Sequence, residues 1–258
     1  MRTLCFISHK GGVGKTTLAS ALSVAGQELG FSVGVLDLDA PTLGLTSFVG
    51  LRRSAGLAAP VLIQPPMLPA TRTPTSREAG RLIGSAVTEA KARGLGLLLI
   101  DLEAVTNALW LKAAACLVAD RVITPISDSP LDIEAILPAS GEGDLAQFIR
   151  SAGERRPDWI VVRNRSSQLR TRLADTLSTR LNAGAAGAGF RIMDGLSDRV
   201  AYREMFLHGR TPLDPPADSR PLSMSAIAAR SELRRLASEI LEGAPRAMLR
   251  GWTQAAGR

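Results

Sequence analysis

Between an apolar run, Leu4 to Ile7, and a segment with Leu18, Ala21, Leu22, Ala25 and Leu29 on one helical face lies the octapeptide Lys10-Gly11-Gly12-Val13-Gly14-Lys15-Thr16-Thr17. An apolar strand, a glycine turn and an amphipathic helix form the opening of a βαβ unit, which commits the chain to a parallel sheet covered by helices. Glycines at 11, 12 and 14 let the backbone curl so that successive N–H groups point inward at an anion. The helix N-terminus near Thr16 adds its partial positive charge. Such a cradle holds phosphate, with the Lys15 ammonium on the outer phosphates and the Thr16 hydroxyl completing the shell of a Mg²⁺. Residues Gly11, Gly12, Val13, Gly14, Lys15, Thr16 and Thr17 are therefore the expected nucleotide-binding set.

Basic residues sharpen this reading. The chain has 31 of them, of which only Lys10, Lys15, Lys91 and Lys112 are lysine. A sequence that writes positive charge as arginine keeps lysine at both ends of its glycine loop, where a compact ammonium fits among phosphate oxygens and a guanidinium fork does not.

Downstream, strand and helix signals alternate. Strands are expected at Thr3–Ile7, Ser32–Asp37, Pro60–Ile63, Leu95–Asp101, Arg121–Pro125, Trp159–Arg163 and Phe190–Met193. Helices are expected at Thr16–Leu29, Arg77–Arg93, Ala108–Val118, Leu131–Ile136, Asp144–Gly153, Ser167–Asn182, Arg199–Leu207 and Met224–Glu242. Pro65 to Thr75, with four prolines, reads as a surface loop, and Ala183 to Gly189 as a small flexible connector. The fold class is thus α/β, a doubly wound and mainly parallel sheet flanked by helices. One domain over 1–243 and a tail over 244–258 account for the length. Ligands of such sheets sit at the carboxyl ends of strands. Asp101 ends the run Leu97-Leu98-Leu99-Ile100, where its carboxylate would hold a water on the Mg²⁺.

Other classes are disfavoured. No apolar run approaches the roughly 18–20 residues that span a bilayer, so no integral membrane association is expected. The chain opens on a strand, which predicts no signal peptide and a cytoplasmic location. Cys5 and Cys116 lie in apolar patterns and read as buried thiols of a reducing compartment. Met248, Leu249 and Trp252 in the tail suit a frayed terminus better than a membrane-touching helix. The net charge of +7 is concentrated between Arg150 and Arg210, where twelve arginines face six acids. This points to a polyanion such as DNA backbone, unless the charge is merely solvated.

The loop Lys10 to Thr17 resembles the deviant Walker A motif of the ParA/MinD ATPases. That resemblance implies ATP as the nucleotide and a homodimer formed with ATP. It assigns Lys10 to the partner's ATP across the interface, and it places Lys10, Lys15 and Asp39 in catalysis. Facing triphosphates repel in a dry interface, so extra cationic charge is a physical requirement of such closure. Asp37-Leu38-Asp39 is similar to the family's first switch segment, with Asp39 orienting the attacking water and Asp37 near the metal beside Thr16 and Asp101; the plainer alternative is a pair of loop acids capping a turn. Asn164 either hydrogen-bonds adenine or caps its turn. After Asp101 the chain departs: relatives read Asp-Thr-Pro, whereas here Leu102-Glu103-Ala104 follows. This leaves the hydrolysis rate and the coupling of the second switch open, with Glu103 read as an exposed loop acid in preference to an added catalytic or metal-directed carboxylate.

The segments Val122 to Ser129, Asp158 to Arg165, Gly189 to Ile192 and Arg199 to Phe206 resemble the MipZ branch. That branch implies non-specific DNA contacts, here from Arg170, Arg172, Arg180, Arg199 and Arg203, a nucleoid-associated location, and ParB-like and FtsZ partners. A plasmid- or cargo-partitioning ATPase, a hydrolysis-poor ATP-binding module and a metabolic P-loop enzyme are the alternatives.

Overall fold

A computed structural model describes residues 1–39, 42–64, 74–104, 109–138, 156–166, 172–216 and 222–241, together with 145, 146 and 149. Seven strands form one sheet in the order β3-β2-β4-β1-β5-β6-β7. They are β1 (Arg2–Phe6), β2 (Val33–Leu38), β3 (Val61–Ile63), β4 (Leu97–Leu102), β5 (Arg121–Ile126), β6 (Asp158–Arg163) and β7 (Arg191–Asp194). Every pairing is parallel. The described helices are α1 (Lys15–Glu28), α2 (Gly44–Ser54), α3 (Ser76–Ala92), α4 (Leu109–Val118), α5 (Pro130–Ile136), α6 (Arg172–Ala188), α7 (Val200–Arg203), α8 (Met205–His208) and α9 (Met224–Ile240).

Helices cover both faces, so the strands are buried nearly throughout, as parallel sheets require. Cys5, Leu36, Leu98 and Ile100 point to a core shared with α3, α4, α5 and α6. Their neighbours Leu4, Phe6, Val35, Leu97 and Leu99 point to the opposite core, shared with α1, α2 and α9. Because β1 lies between β4 and β5, the glycine loop leaves the sheet at its centre, where the winding reverses.

Three local features differ from the sequence-based expectation. α2 was not anticipated, although Leu45, Phe48, Val49 and Arg52 are buried on one helical stripe. The alanine-rich stretch from 183 is no connector but the last turns of α6, since alanine is the strongest helix former. Gly184 lets this helix approach closely: a Cβ there would lie 2.5 Å from a methyl of Leu137. The stretch from Arg199 to Leu207 forms two short turns, α7 and α8, joined at Glu204. Most of the proline-rich segment, most of the helix expected at Asp144–Gly153 and the tail lie outside the described residues. No helix among the described residues is long and apolar enough to cross a membrane.

Candidate nucleotide site

The loop between β1 and α1 has the shape its glycines permit. Gly12 and Gly14 adopt φ of 79° and 90°, in the left-handed region that side chains disfavour. Gly14 is constrained twice over, because a Cβ would also lie 2.3 Å from Asn164 Nδ2. That nitrogen donates to the Val13 carbonyl at 2.9 Å, while Asn164 Oδ1 accepts from Leu196 N–H at 3.2 Å. Asn164 thus braces the loop against the segment after β7. Beside it Arg165, itself at φ 54°, donates to the Gly12 carbonyl at 2.7 Å.

A cleft of about 590 Å³ opens over this loop, within the range typical of small-molecule sites. Its floor is Gly11, Gly12, Gly14, Lys15, Thr16 and Thr17; its walls include Asp39, Thr42, Glu103, Asn164, Arg165 and the stretch from Leu196 to Arg199. Lys15 is buried, which lowers its ammonium pKa, opposed by the nearby charges of Asp101, Asp39 and Glu103. Gly44, the first residue of α2, comes close enough that a Cβ would stand 3.0 Å from Thr16 Cγ2. The start of α2 is therefore seated directly on the loop threonine.

Strand pairing sets the acids side by side, with Asp37 opposite Asp101 across β2 and β4. Asp101 is fully buried, and no well-aligned hydrogen bond reaches its carboxylate, although the Thr16 hydroxyl stands close enough to interact with it. Burial pushes its pKa up to about 7, against the pull of Thr16 and Lys15. A buried carboxylate so weakly engaged, beside a loop threonine, fits a divalent cation and its waters; Mg²⁺ is normally held by one or two carboxylates plus substrate phosphates. Asp37 is engaged differently. Its oxygens accept from Asp39 N–H at 3.1 Å and Thr46 N–H at 2.8 Å, so it caps α2 from a distance, where the helix has no side-chain cap of its own. Burial raises its pKa, and the two backbone donors pull the other way.

Lys10 does not line the cleft. Its ammonium lies 3.2 Å from Asp132 Oδ1 of α5, with the lysine side chain 54% exposed and the aspartate buried. Asp132 is braced from behind by the backbone N–H and hydroxyl of Ser127, at 2.8 and 2.6 Å.

Of the five candidate DNA-contacting arginines, Arg170 lies outside the described residues. Arg172 is exposed at the start of α6. Arg180 pairs with Glu134 and Arg203 with Asp198. Arg199 is mostly buried against Glu232 of α9, at 2.7 Å. Glu232 also accepts from the Ser197 hydroxyl and N–H, so α9 anchors the cleft wall from Ser197 to Arg199. Tyr202, next to this cluster, donates to the Ala229 carbonyl at 2.7 Å. Sequence reasoning missed Arg165, Glu232 and Lys112 as parts of the site. It also read Glu103 as an exposed loop acid, whereas the structure sets it, half-buried, in the cleft wall. Only Lys112 carried a signal, as one of four lysines in an arginine-rich chain.

Known proteins place this geometry. Among solved structures, the fold matches apo McdA of Cyanothece at a TM-score of 0.62, with 17% identity over 99% of both chains. It matches a plasmid partition protein of Borrelia burgdorferi B31 bound to AMPPNP at 0.63, with 16% identity over 93% of this chain and 99% of that one. MinD of Pyrococcus horikoshii OT3, complexed with Mg-ADP, matches at 0.57, with 19% identity over 93% and 96%. At these identities the likeness establishes the fold. A search of curated protein sequences gave no match. The family model for the ATPase MipZ, however, matches residues 2–142 and 144–242. With the glycine loop, the strand-end acids and the second-half segments all inside that match, the chain belongs to the MipZ family of ATPases.

Proposed function

We propose that this chain is a Mg²⁺-dependent, slow ATPase that acts as a positioning switch. ATP would pair two copies face to face, the pair would hold DNA without sequence preference, and hydrolysis would release it. The observation that carries this reading is Lys10. It sits at the mouth of the glycine loop, more than half exposed and outside its own cleft, held by a single ion pair that a partner's triphosphate could replace.

The chain's own groups divide the work. The loop N–H groups and Lys15 bind phosphate; Asp101 and Thr16 would hold the Mg²⁺, which supplies charge neutralisation on the phosphates. Asp39, in the cleft wall, takes a hydrogen bond from the attacking water. Asp37 fixes α2, and with it the backbone that carries Asp39. Asn164 and the wall from Leu196 to Arg199 receive the base. The AMPPNP and Mg-ADP in the structures of two relatives support this choice of ligands.

For DNA, Arg172, Arg180 and Arg203 are the stronger candidates. Exposed ion pairs contribute roughly 0–1 kcal/mol and can be traded for phosphate, whereas the Arg199–Glu232 pair is part of the cleft wall. ParB-like and FtsZ partners, and a cytoplasmic, nucleoid-associated location, follow from family membership as proposals. A hydrolysis-poor ATP-binding module is the second reading, favoured by Leu102-Glu103-Ala104 after Asp101.

Sedimentation of the protein with ATP, ADP or neither, with and without DNA, tests the switch, and phosphate release separates the two readings. A dimer seen with ATP alone, holding DNA in a salt-sensitive way, is the expected result. A monomer at saturating Mg·ATP refutes it.

A further inference from the structure

Lys112 stands on the first turns of α4 and is 4% exposed, a rare setting for an ammonium. It reaches back over the sheet to two main-chain carbonyls, Ala104 at 3.1 Å and Ser8 at 3.3 Å. Ala104 ends the segment that follows Asp101, and Ser8 ends the path from β1 into the glycine loop. Ser8 continues the connection, since its hydroxyl donates to the Lys10 carbonyl at 2.8 Å. The two charges closest in effect are Lys15 and Glu103, one on each side of the linkage. Leu102-Glu103-Ala104 has neither a proline to stiffen it nor a hydroxyl to bond its own turn. Both Glu103 and Ala104 nevertheless form part of the cleft wall. Three of the chain's four lysines, at 10, 15 and 112, thus gather around one loop.

We propose that Lys112 is the positioning residue of the second switch: its ammonium holds the Ala104 carbonyl to the Ser8 carbonyl, so that Glu103 faces the cleft and the glycine loop and the switch move together. An apolar side chain at 112 would leave the buried Ser8 carbonyl and the part-buried Ala104 carbonyl without this donor and the segment after β4 without an anchor. Lys112 touches no substrate; it acts through Ala104 and Glu103. The catalytic part of the inference rests on the ATPase reading above, whereas the anchoring part does not.

The test compares Lys112→Met, Lys112→Arg and the wild type in two measurements. Hydrogen exchange on the apo proteins reads the amides of Glu103 and Ala104, which should exchange about ten-fold faster in Lys112→Met. Steady-state turnover with Mg·ATP should show kcat lowered about ten-fold with KM within about two-fold, since the loop still binds phosphate but the switch is misplaced. Lys112→Arg, which keeps a buried cation and its donors, should recover most of both. If Lys112→Met does not fold, Lys112→Gln takes its place. Unchanged exchange at Glu103 and Ala104 overturns the proposal, as does a raised KM with unaltered kcat. A wild type without turnover defeats the ATPase reading, and exchange then decides the anchoring role by itself.

Discussion

If two copies pair through Lys10 as proposed, its ion pair with Asp132 gives that pairing a measurable set-point. In Asp132→Asn, an amide oxygen can keep accepting from the Ser127 N–H and hydroxyl, while the amide nitrogen turned toward Lys10 removes the attraction. The N···O distance is 3.2 Å, but the lysine side is 54% exposed, so solvent screens the pair to about 0.5–1 kcal/mol. If Lys10 must leave Asp132 to reach a partner's triphosphate, two such pairs break per dimer. Removing them in advance favours the dimer by about 1–2 kcal/mol, or roughly five- to thirty-fold in its dissociation constant. Sedimentation equilibrium with saturating Mg·ATP, in an Asp39→Ala background that on the proposed mechanism blocks release, reads this directly. ATP affinity of the monomer should stay constant, because neither residue lines the cleft. A dimer of equal or weaker affinity in Asp132→Asn would refute the idea that Asp132 holds Lys10 in reserve.

Three further outcomes follow from the geometry. Gly14→Ala forces a side chain to φ 90° and into Asn164 Nδ2, combining a left-handed penalty with a broken brace, together about 2–3 kcal/mol; fluorescence titration should show ATP binding weakened by roughly 30- to 150-fold. Arg52 on α2 is buried with a two-point bond to Asp214 and further bonds to the Ala58 and Gly209 carbonyls, so Arg52→Met should lower urea-measured stability by about 3–5 kcal/mol. The same pair sets an acid limb. Burial pushes the Asp214 carboxyl up, but Arg52 and Thr211 outweigh it and hold it below the usual value. A depressed carboxylate stabilises the fold fully above the unfolded pKa of about 4 and loses that contribution as pH falls through its folded value. The melting temperature of Asp214→Asn should accordingly fall less steeply in acid than that of the wild type.

Much of the site was readable before any coordinates. The glycine spacing, Lys15 and the carboxylates closing two apolar runs each obey a local rule, and parallel pairing brings them together, whereas Lys10 turns away to Asp132. α2 escaped because its cap is supplied by Asp37 on the preceding strand, an arrangement no window of sequence displays. Its stripe of Leu45, Phe48, Val49 and Arg52 was nonetheless visible. The alanines after 183 were misread because small residues were weighted as linker material above their helix preference. The fates of Arg180, Arg199 and Arg203 were hidden for another reason. Their partners Glu134 and Glu232 are 46 and 33 residues away from Arg180 and Arg199, and Asp198, although near Arg203, could equally have faced solvent.

Glu232 ties α9 to a cleft whose floor begins at Gly11. Since Glu232 holds the wall from Ser197 to Arg199, that end of the cleft takes its shape only when α9 packs onto it. If a base binds there as proposed, substitutions on α9 tune nucleotide discrimination from a helix that does not itself line the cleft.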